Sequence, residues 1–292
     1  MEKTLIGKNG VLFLKNDSSR ELEVSSQNLC VVSKDFYKRY ENIKDKFLLI
    51  VFPNKSLIYK DCLPLEYNSD IKYRPSFDIY QKYFGNHCID SYKELIDIKD
   101  TYYKTDTHIN NNGAIIVYQK FVSSLNNLFK LDTTQRCCTL TKKIVPSLSE
   151  LYMGLGDLTW DINLGLQVLE TKNDTYYTIN ESCQIYAKYI FSEDSLIRLY
   201  LQENDILVDK TLDNIGAVLG WDIIGKYILY TRNNNLKYTV LIFYDSFLCS
   251  TLQLYMELFY EVYCIKSIFR NDIVSLLNPD YIFEFRCERF LF

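Results

Sequence analysis

Six consecutive apolar residues, Phe47–Phe52, follow the charged stretch that ends at Lys46 and stop at Pro53 and Asn54. An apolar run this short, without polar alternation, reads as a strand buried on both faces, the pattern of a parallel sheet. Parallel neighbours need long crossover connections, usually helical, so the run commits the chain to an α/β fold. A second run of the same kind occupies 238–244 and ends at Asp245 and Ser246. Ligands in such sheets bind outside the carboxyl ends of the strands. The residues just after each run are therefore where chemistry is expected.

The remaining pattern fits around these two strands. A short strand is expected over 11–14 behind Gly7 and Gly10, a helical segment over 33–46, a helix over 75–84, a strand over 88–90 and a helix over 91–97. Asn110 to Gly113 predict a turn and helix cap ahead of the apolar periodicity of 114–129. From 131 to 237 the character changes to short alternating segments, among them 176–179, 185–191 and 196–201, broken by Asn, Asp and Gly. This stretch reads as a β-rich insertion. The α/β pattern then resumes, with a helix over 248–259 and strands over 262–265 and 281–285. The expectation is a single domain over 1–292 with the insertion 131–237 inside it, a length that buries a full core.

Charge narrows the function. With 33 Lys and Arg against 37 Asp and Glu the net charge is -4, which argues against a nucleic-acid partner. No apolar run is long enough for a membrane span, and no apolar leader follows Met1. The nine cysteines show no C-x-x-C pair and include the adjacent Cys137 and Cys138, so they read as reduced thiols and not as a metal site. The expected location is cytoplasmic, or periplasmic where a leader has been removed. The 25 Tyr and 17 Phe suit core filling and, at an exposed face, sugar stacking; Trp160 and Trp221 are candidates for the latter.

Two separated segments hold the groups of a serine-dependent acyl-transfer site. One is Thr105, Asp106, Thr107, His108; the other is Tyr244, Asp245, Ser246, Phe247. A serine hydroxyl needs an imidazole to accept its proton, and the imidazole needs a carboxylate to fix its tautomer. The chain has two histidines, so the choice of base is narrow. His87, in a loop without an acidic neighbour, reads as structural. His108 stands two residues from Asp106, and Ser246 follows a buried strand at a strand-to-helix turn, where backbone N–H groups are expected to serve an oxyanion. Asp245 is expected to cap that turn. Gly154, Leu155, Gly156 and Asp157 form a short loop that gives an oxyanion N–H, shapes the site or, as the commoner reading, is a simple turn; Arg270 and Arg289 are candidates to steady an anionic sugar or donor, with surface arginines the commoner reading. No P-loop or dinucleotide fingerprint is present.

At these residues the chain resembles the alginate O-acetyltransferase family, SGNH-hydrolase-like proteins that O-acetylate polysaccharides. Gly7 to Phe13 is similar to that family's glycine-flanked first strand, and Val51 to Lys55 to its strand-end segment. Tyr102 to His108 with Gly113 and Ala114 resembles its Asp-x-His motif and following helix. Phe243 to Phe247 resembles its Gly-Asp-Ser-Phe nucleophile turn, and Pro279 to Tyr281 with Glu288 and Arg289 its closing strand. The pieces bracket nearly the whole chain. Two positions depart from the pattern: Ile109 stands where the family often has Trp, and Tyr244 replaces the glycine before Asp-Ser.

The resemblance implies an SGNH-hydrolase-like parallel sheet flanked by helices, with Ser246 as nucleophile, His108 as general base and Asp106 as its orienter. It implies an O-acetyltransferase acting on hydroxyls of a capsular or exopolysaccharide through an acetyl-enzyme, with no tightly bound cofactor and no metal. Acetyl-CoA is the expected donor. The expected partners are a polysaccharide or oligosaccharide acceptor and membrane-associated polysaccharide assembly proteins. A carbohydrate O-acetylesterase with the same triad, and a non-catalytic carbohydrate-binding protein of this fold, are the alternatives.

Overall fold

The structure is a computed structural model, and it describes residues 3–26, 30, 32–68, 74–131, 140–146, 157–159, 173–179, 185–191, 196–199, 227–232, 236–249 and 251–291. The chain divides into two compact units, one formed by Met1–Lys34, Val51–Asn180 and Arg286–Phe292, the other by Asp35–Ile50 and Glu181–Phe285.

The strands in chain order are β1 (Thr4–Ile6), β2 (Leu12–Leu14), β3 (Phe47–Phe52), β4 (Cys88–Asp90), β5 (Leu140–Pro146), β6 (Asn173–Ile179), β7 (Ile185–Phe191), β8 (Leu196–Leu199), β9 (Tyr227–Arg232), β10 (Thr239–Tyr244), β11 (Glu261–Ile265) and β12 (Tyr281–Cys287). The second unit holds most of β3 and β12 and all of β10, β11, β9, β7 and β8, which follow one another across one sheet in the order β3, β12, β10, β11, β9, β7, β8. β10 is parallel to both β11 and β12, with Ile242 opposite Cys264 on one side and Phe283 on the other. Helices Leu252–Met256 and Asn271–Leu277 lie in sequence between these strands, as parallel neighbours require.

Every residue of β3 is fully buried, and Val240 to Tyr244 of β10 are buried as well, so both apolar runs are core strands. Aromatic rings fill the space around them. Phe269 packs against Tyr40, Phe47 and Phe243 with ring centroids 4.9, 5.7 and 5.4 Å apart. Inside this apolar layer the Glu284 carboxyl accepts from Tyr40 Oη at 2.8 Å and from the Phe269 N–H at 3.2 Å, as a buried polar group requires.

The sheet is mixed and not purely parallel. β9 pairs antiparallel with β11, and β7 pairs antiparallel with both β9 and β8. The segment 233–238 between β9 and β10 is too short for the crossover that a parallel return needs. Of the expected β-rich stretch 131–237, strands β5 to β9 and the turn Asp157–Thr159 are described; Cys137, Cys138, Gly154, Leu155, Gly156, Trp160, Leu201 and Trp221 lie outside the described residues.

In the first unit β1 and β2 form an antiparallel hairpin. Gly7 is required there, because a Cβ would fall 2.5 Å from both the Cys62 carbonyl and the Phe13 ring. β5 and β6 form a second antiparallel pair. Helix Pro75–Phe84 matches its expected range, and helix Asn111–Ser124 is capped by Asn110, whose side chain accepts the Gly113 N–H at 3.0 Å. A π-helical turn, Leu125–Phe129, continues it. The helical segment expected over 33–46 is two short pieces, Phe36–Arg39 and the 3-10 turn Lys44–Lys46. The six described cysteines are free thiols, and no helix among the described residues is long and apolar enough to cross a membrane.

Candidate functional site

The Asp106 and His108 side chains are presented by a narrow loop whose two limbs are closed by a bridge between Tyr102 and Ile109 and by hydrogen bonds from Tyr103 N to His108 O and from Asn110 N to Thr101 O. Lys55 holds this loop from beneath. It directly follows Asn54 at the end of β3, is 3% exposed, and donates from Nζ to the carbonyls of Leu12, Lys104 and Asp106 at 2.7, 2.9 and 2.9 Å. A buried ammonium that spends all three protons on carbonyls makes a strong local staple. Helix Asn111–Ser124 closes in from the far side, where a Cβ on Gly113 would lie 2.4 Å from the Thr101 carbonyl and 2.6 Å from Ile109 Cγ1.

Within the loop Asp106 makes an Asx turn: its Oδ1 accepts the backbone N–H of His108 at 2.8 Å. The same oxygen lies 2.6 Å from His108 Nδ1. The expected pair is therefore joined directly, with both residues half-buried.

Asp157, from the 3-10 turn Asp157–Thr159, completes the arrangement. Its N–H donates to Asp106 Oδ2 at 3.1 Å, and its carboxylate accepts from the Thr107 N–H at 2.7 Å and from Thr107 Oγ1 at 2.6 Å. Its Oδ2 is also 3.6 Å from His108 Nδ1.

Arg289 is not a surface arginine. Its side chain is 6% exposed and pairs with Glu21 at 3.0 Å, while Nη2 donates to Thr107 Oγ1 at 3.4 Å. Glu21 in turn accepts from Ser56 Oγ at 2.6 Å. The expectation failed because one sequence position carries no sign of burial, and only the fold brings residues 21, 56, 107 and 289 together. Arg270 pairs with its neighbour Asp272, as a surface arginine does. His87 packs edge-on against Phe129 with centroids 5.5 Å apart.

Electrostatics follow from this geometry. Burial disfavours charge on Asp106, but the hydrogen bond and positive charge of His108 outweigh it and hold the carboxyl at about 2. Burial likewise disfavours the imidazolium of His108, yet its hydrogen bond to Asp106 and the Asp106 and Asp157 charges raise its pKa above 6.5, with Arg289 opposing. Asp157 is pushed up from 3.8 by burial and by the Asp106 charge. One ligand atom from each of Asp106, His108 and Asp157 lies within 4.8 Å of the others, close enough to consider a cation. The 2.6 Å contact between Nδ1 and Oδ1 is a hydrogen-bond distance, and the remaining carboxylate oxygens accept protein N–H and O–H groups. This donor set suits an oriented imidazole better than a metal.

Ser246 stands in the second unit, directly after β10 and Asp245, and is half-buried. Asp245 caps the turn Ser246–Leu248 by accepting the Phe247 N–H at 3.0 Å, the role expected of it. The expected oxyanion donors differ. Leu248 N donates to Asp245 O and Cys249 N to Ser246 O, so the three N–H groups after Ser246 are engaged within the turn itself. The long helix expected over 248–259 is a 3-10 turn followed by the short helix Leu252–Met256.

No protein-family model matches the chain, and no curated protein matches it. Solved structures do. PatB1 of Bacillus cereus, carrying a sulfonyl adduct, superposes with a TM-score of 0.61 at 14% identity, over 100% of this chain and 97% of that one. A DHHW family protein from Eubacterium siraeum gives 0.56 at 15% identity, over 98% and 93%. The O-acetyltransferase domain of AlgJ from Pseudomonas putida gives 0.51 at 13% identity, over 99% and 91%. At these identities the likeness is one of fold, and it extends over almost the entire chain.

Proposed function

We propose that the protein is a serine-dependent O-acetyltransferase that places acetyl groups on hydroxyls of a bacterial capsular or exopolysaccharide. The observation that carries this reading is the 2.6 Å contact between His108 Nδ1 and Asp106 Oδ1. It commits Nδ1 to a carboxylate that orients the ring, and in this reading Nε2 exchanges protons with the nucleophile. Ser246, placed just after the carboxyl end of a buried parallel strand, is the nucleophile in this reading, and Asp106 the orienter. A shared fold with an O-acetyltransferase domain, and with a protein that carries a sulfonyl adduct, supports acyl-transfer chemistry here.

The Ser246 hydroxyl attacks the donor's acetyl carbonyl while His108 Nε2 takes its proton, giving a tetrahedral oxyanion. The oxyanion collapses, the bond to the donor breaks, and the imidazolium returns the proton to the leaving group. A sugar hydroxyl then attacks acetyl-Ser246, again losing its proton to His108. When the second tetrahedral species collapses, the ester leaves on the sugar and the proton returns to Ser246. Acetyl-CoA is the donor if the protein works in the cytoplasm; in the periplasm a membrane-associated assembly protein delivers the acetyl group.

Incubation with p-nitrophenyl acetate and an oligosaccharide, followed by mass spectrometry of the sugar, tests the reading. It predicts acetylated sugar and release of p-nitrophenol. Release with acetate as the sole product identifies an esterase instead, and no release at all refutes the serine mechanism.

A further inference from the structure

We propose that Asp157 is a positioning residue for His108, holding the Asp106–His108 pair in register through three hydrogen bonds and presenting a second carboxylate to the same imidazole nitrogen. This rests on the reading of His108 as the base.

The turn that carries Asp157 fixes the loop. Thr105, Asp106 and Thr107 are each bonded to the turn Asp157–Thr159: Leu158 N donates to Thr105 O at 3.1 Å, Asp157 N donates to Asp106 Oδ2 at 3.1 Å, and the Asp157 carboxylate accepts both the N–H and the hydroxyl of Thr107. The turn is itself tied to β1, where Thr4 Oγ1 donates to Leu158 O at 2.7 Å. Asp106 Oδ1 is already shared between the N–H and Nδ1 of His108, so the Asp157 N–H is the bond that sets the rotation of the Asp106 carboxylate. The Asp157 side chain, by gripping Thr107, keeps that backbone N–H against Asp106; losing the grip loosens the carboxylate and lets the imidazole turn, and small misplacements of a proton-transfer group are costly in rate.

Charge acts at the same nitrogen. Asp106 Oδ1 and Asp157 Oδ2 stand 2.6 and 3.6 Å from Nδ1. Among the described residues, the charged groups that bear on the ring are Asp106, Asp157 and Arg289, and the last two meet at Thr107 Oγ1. Among the described residues, one imidazole nitrogen thus has two carboxylates, one in direct contact and one in reserve, opposed by the Arg289 guanidinium. Removing the reserve charge makes the imidazolium less stable without removing the direct contact.

The test uses Asp157→Asn, which keeps the shape and removes the charge, Asp157→Ala, which removes the side-chain clamp, and Asp106→Asn alone and with Asp157→Asn. The Asp157 side chain is 40% exposed, so neither single change endangers the core. Two quantities are read: the NMR titration midpoint of His108, assigned against a His87→Gln background, and the pH–rate profile for p-nitrophenyl acetate. In Asp157→Asn the midpoint falls and the rising limb of the rate moves to lower pH with it. In Asp157→Ala, kcat falls by roughly ten- to a hundredfold with little change in KM. The midpoint in Asp106→Asn stays above that of the double variant. An unchanged midpoint and limb in Asp157→Asn overturn the proposal. A wild type that turns over no ester, with a midpoint that still falls in Asp157→Asn, removes the catalytic reading of His108 and leaves the positioning by Asp157 in place.

Discussion

Oδ1 of Asp106 accepts two hydrogen bonds from His108, one from the backbone N–H at 2.8 Å and one at Nδ1 at 2.6 Å. The carboxylate therefore fixes the backbone turn and the imidazole together, and the residue spacing that makes the turn also makes the pair. Lys55 below and Asp157 beside it hold the loop in that shape.

The pH dependence of activity follows from the raised pKa of His108. A general base acts in its neutral form, so the rate rises as the imidazolium loses its proton. Because the Asp106 hydrogen bond and charge lift that pKa above 6.5, the rising limb of kcat/KM falls on the alkaline side of 6.5. A rate profile with its rising limb at or below 6.5 contradicts this.

Stability carries the opposite signs for the two partners. The folded His108 pKa is raised, so the stabilisation from its charged form is fully present below 6.5 and is lost as pH rises through the folded value. The folded Asp106 pKa is lowered to about 2, so its contribution is present above 3.8 and is lost as pH falls towards 2. Thermal melts across acid pH in wild type and Asp106→Asn are expected to converge as pH falls through that window.

Lys55→Met is expected to destabilise the protein by on the order of 3 kcal/mol, because three carbonyls lose their shared donor in a buried site. The carbonyl of Asp106 is among them, so ester turnover should fall together with the melting temperature. A variant with wild-type turnover would show that the staple does not position the loop.

Gly113→Ala sets two effects against each other. Alanine favours a helix interior by about 1 kcal/mol, but its Cβ would meet the Thr101 carbonyl at 2.4 Å and Ile109 at 2.6 Å. Thr101 O is backbone already accepting from Asn110 N, so relief requires the helix to move away from the loop, at about 1–3 kcal/mol. A lower melting temperature with reduced turnover is expected, and a gain in stability would contradict the close approach.

The elements legible in the sequence were those with a run and a stop. β3 and helix Pro75–Phe84 match their expected limits because Pro53 ends one and Pro75 opens the other, and β4 matches as a short run between polar turns. The stretch 248–259 misled because Leu248, Leu252, Leu254, Tyr255, Met256, Leu258 and Phe259 are all buried. Where nearly every residue is inside, periodicity no longer marks where a helix starts or ends. The Asp106–His108 bond was readable because an Asx turn needs only two residues. Asp157 and Arg289 were not, since their bonds to Asp106 and Thr107 span 51 and 182 positions, distances over which only the fold decides proximity.

The central claim, an acetyl-enzyme formed on Ser246 with His108 as base, is tested most directly by intact-mass analysis after brief incubation with acetyl-CoA or p-nitrophenyl acetate, for wild type, Ser246→Ala and His108→Ala. The account predicts a single acetyl adduct on the wild type, mapped by peptide sequencing to Ser246, absent from Ser246→Ala and strongly reduced in His108→Ala. An adduct that persists in Ser246→Ala, or a wild type that neither acquires an acetyl group nor turns over the ester, contradicts it.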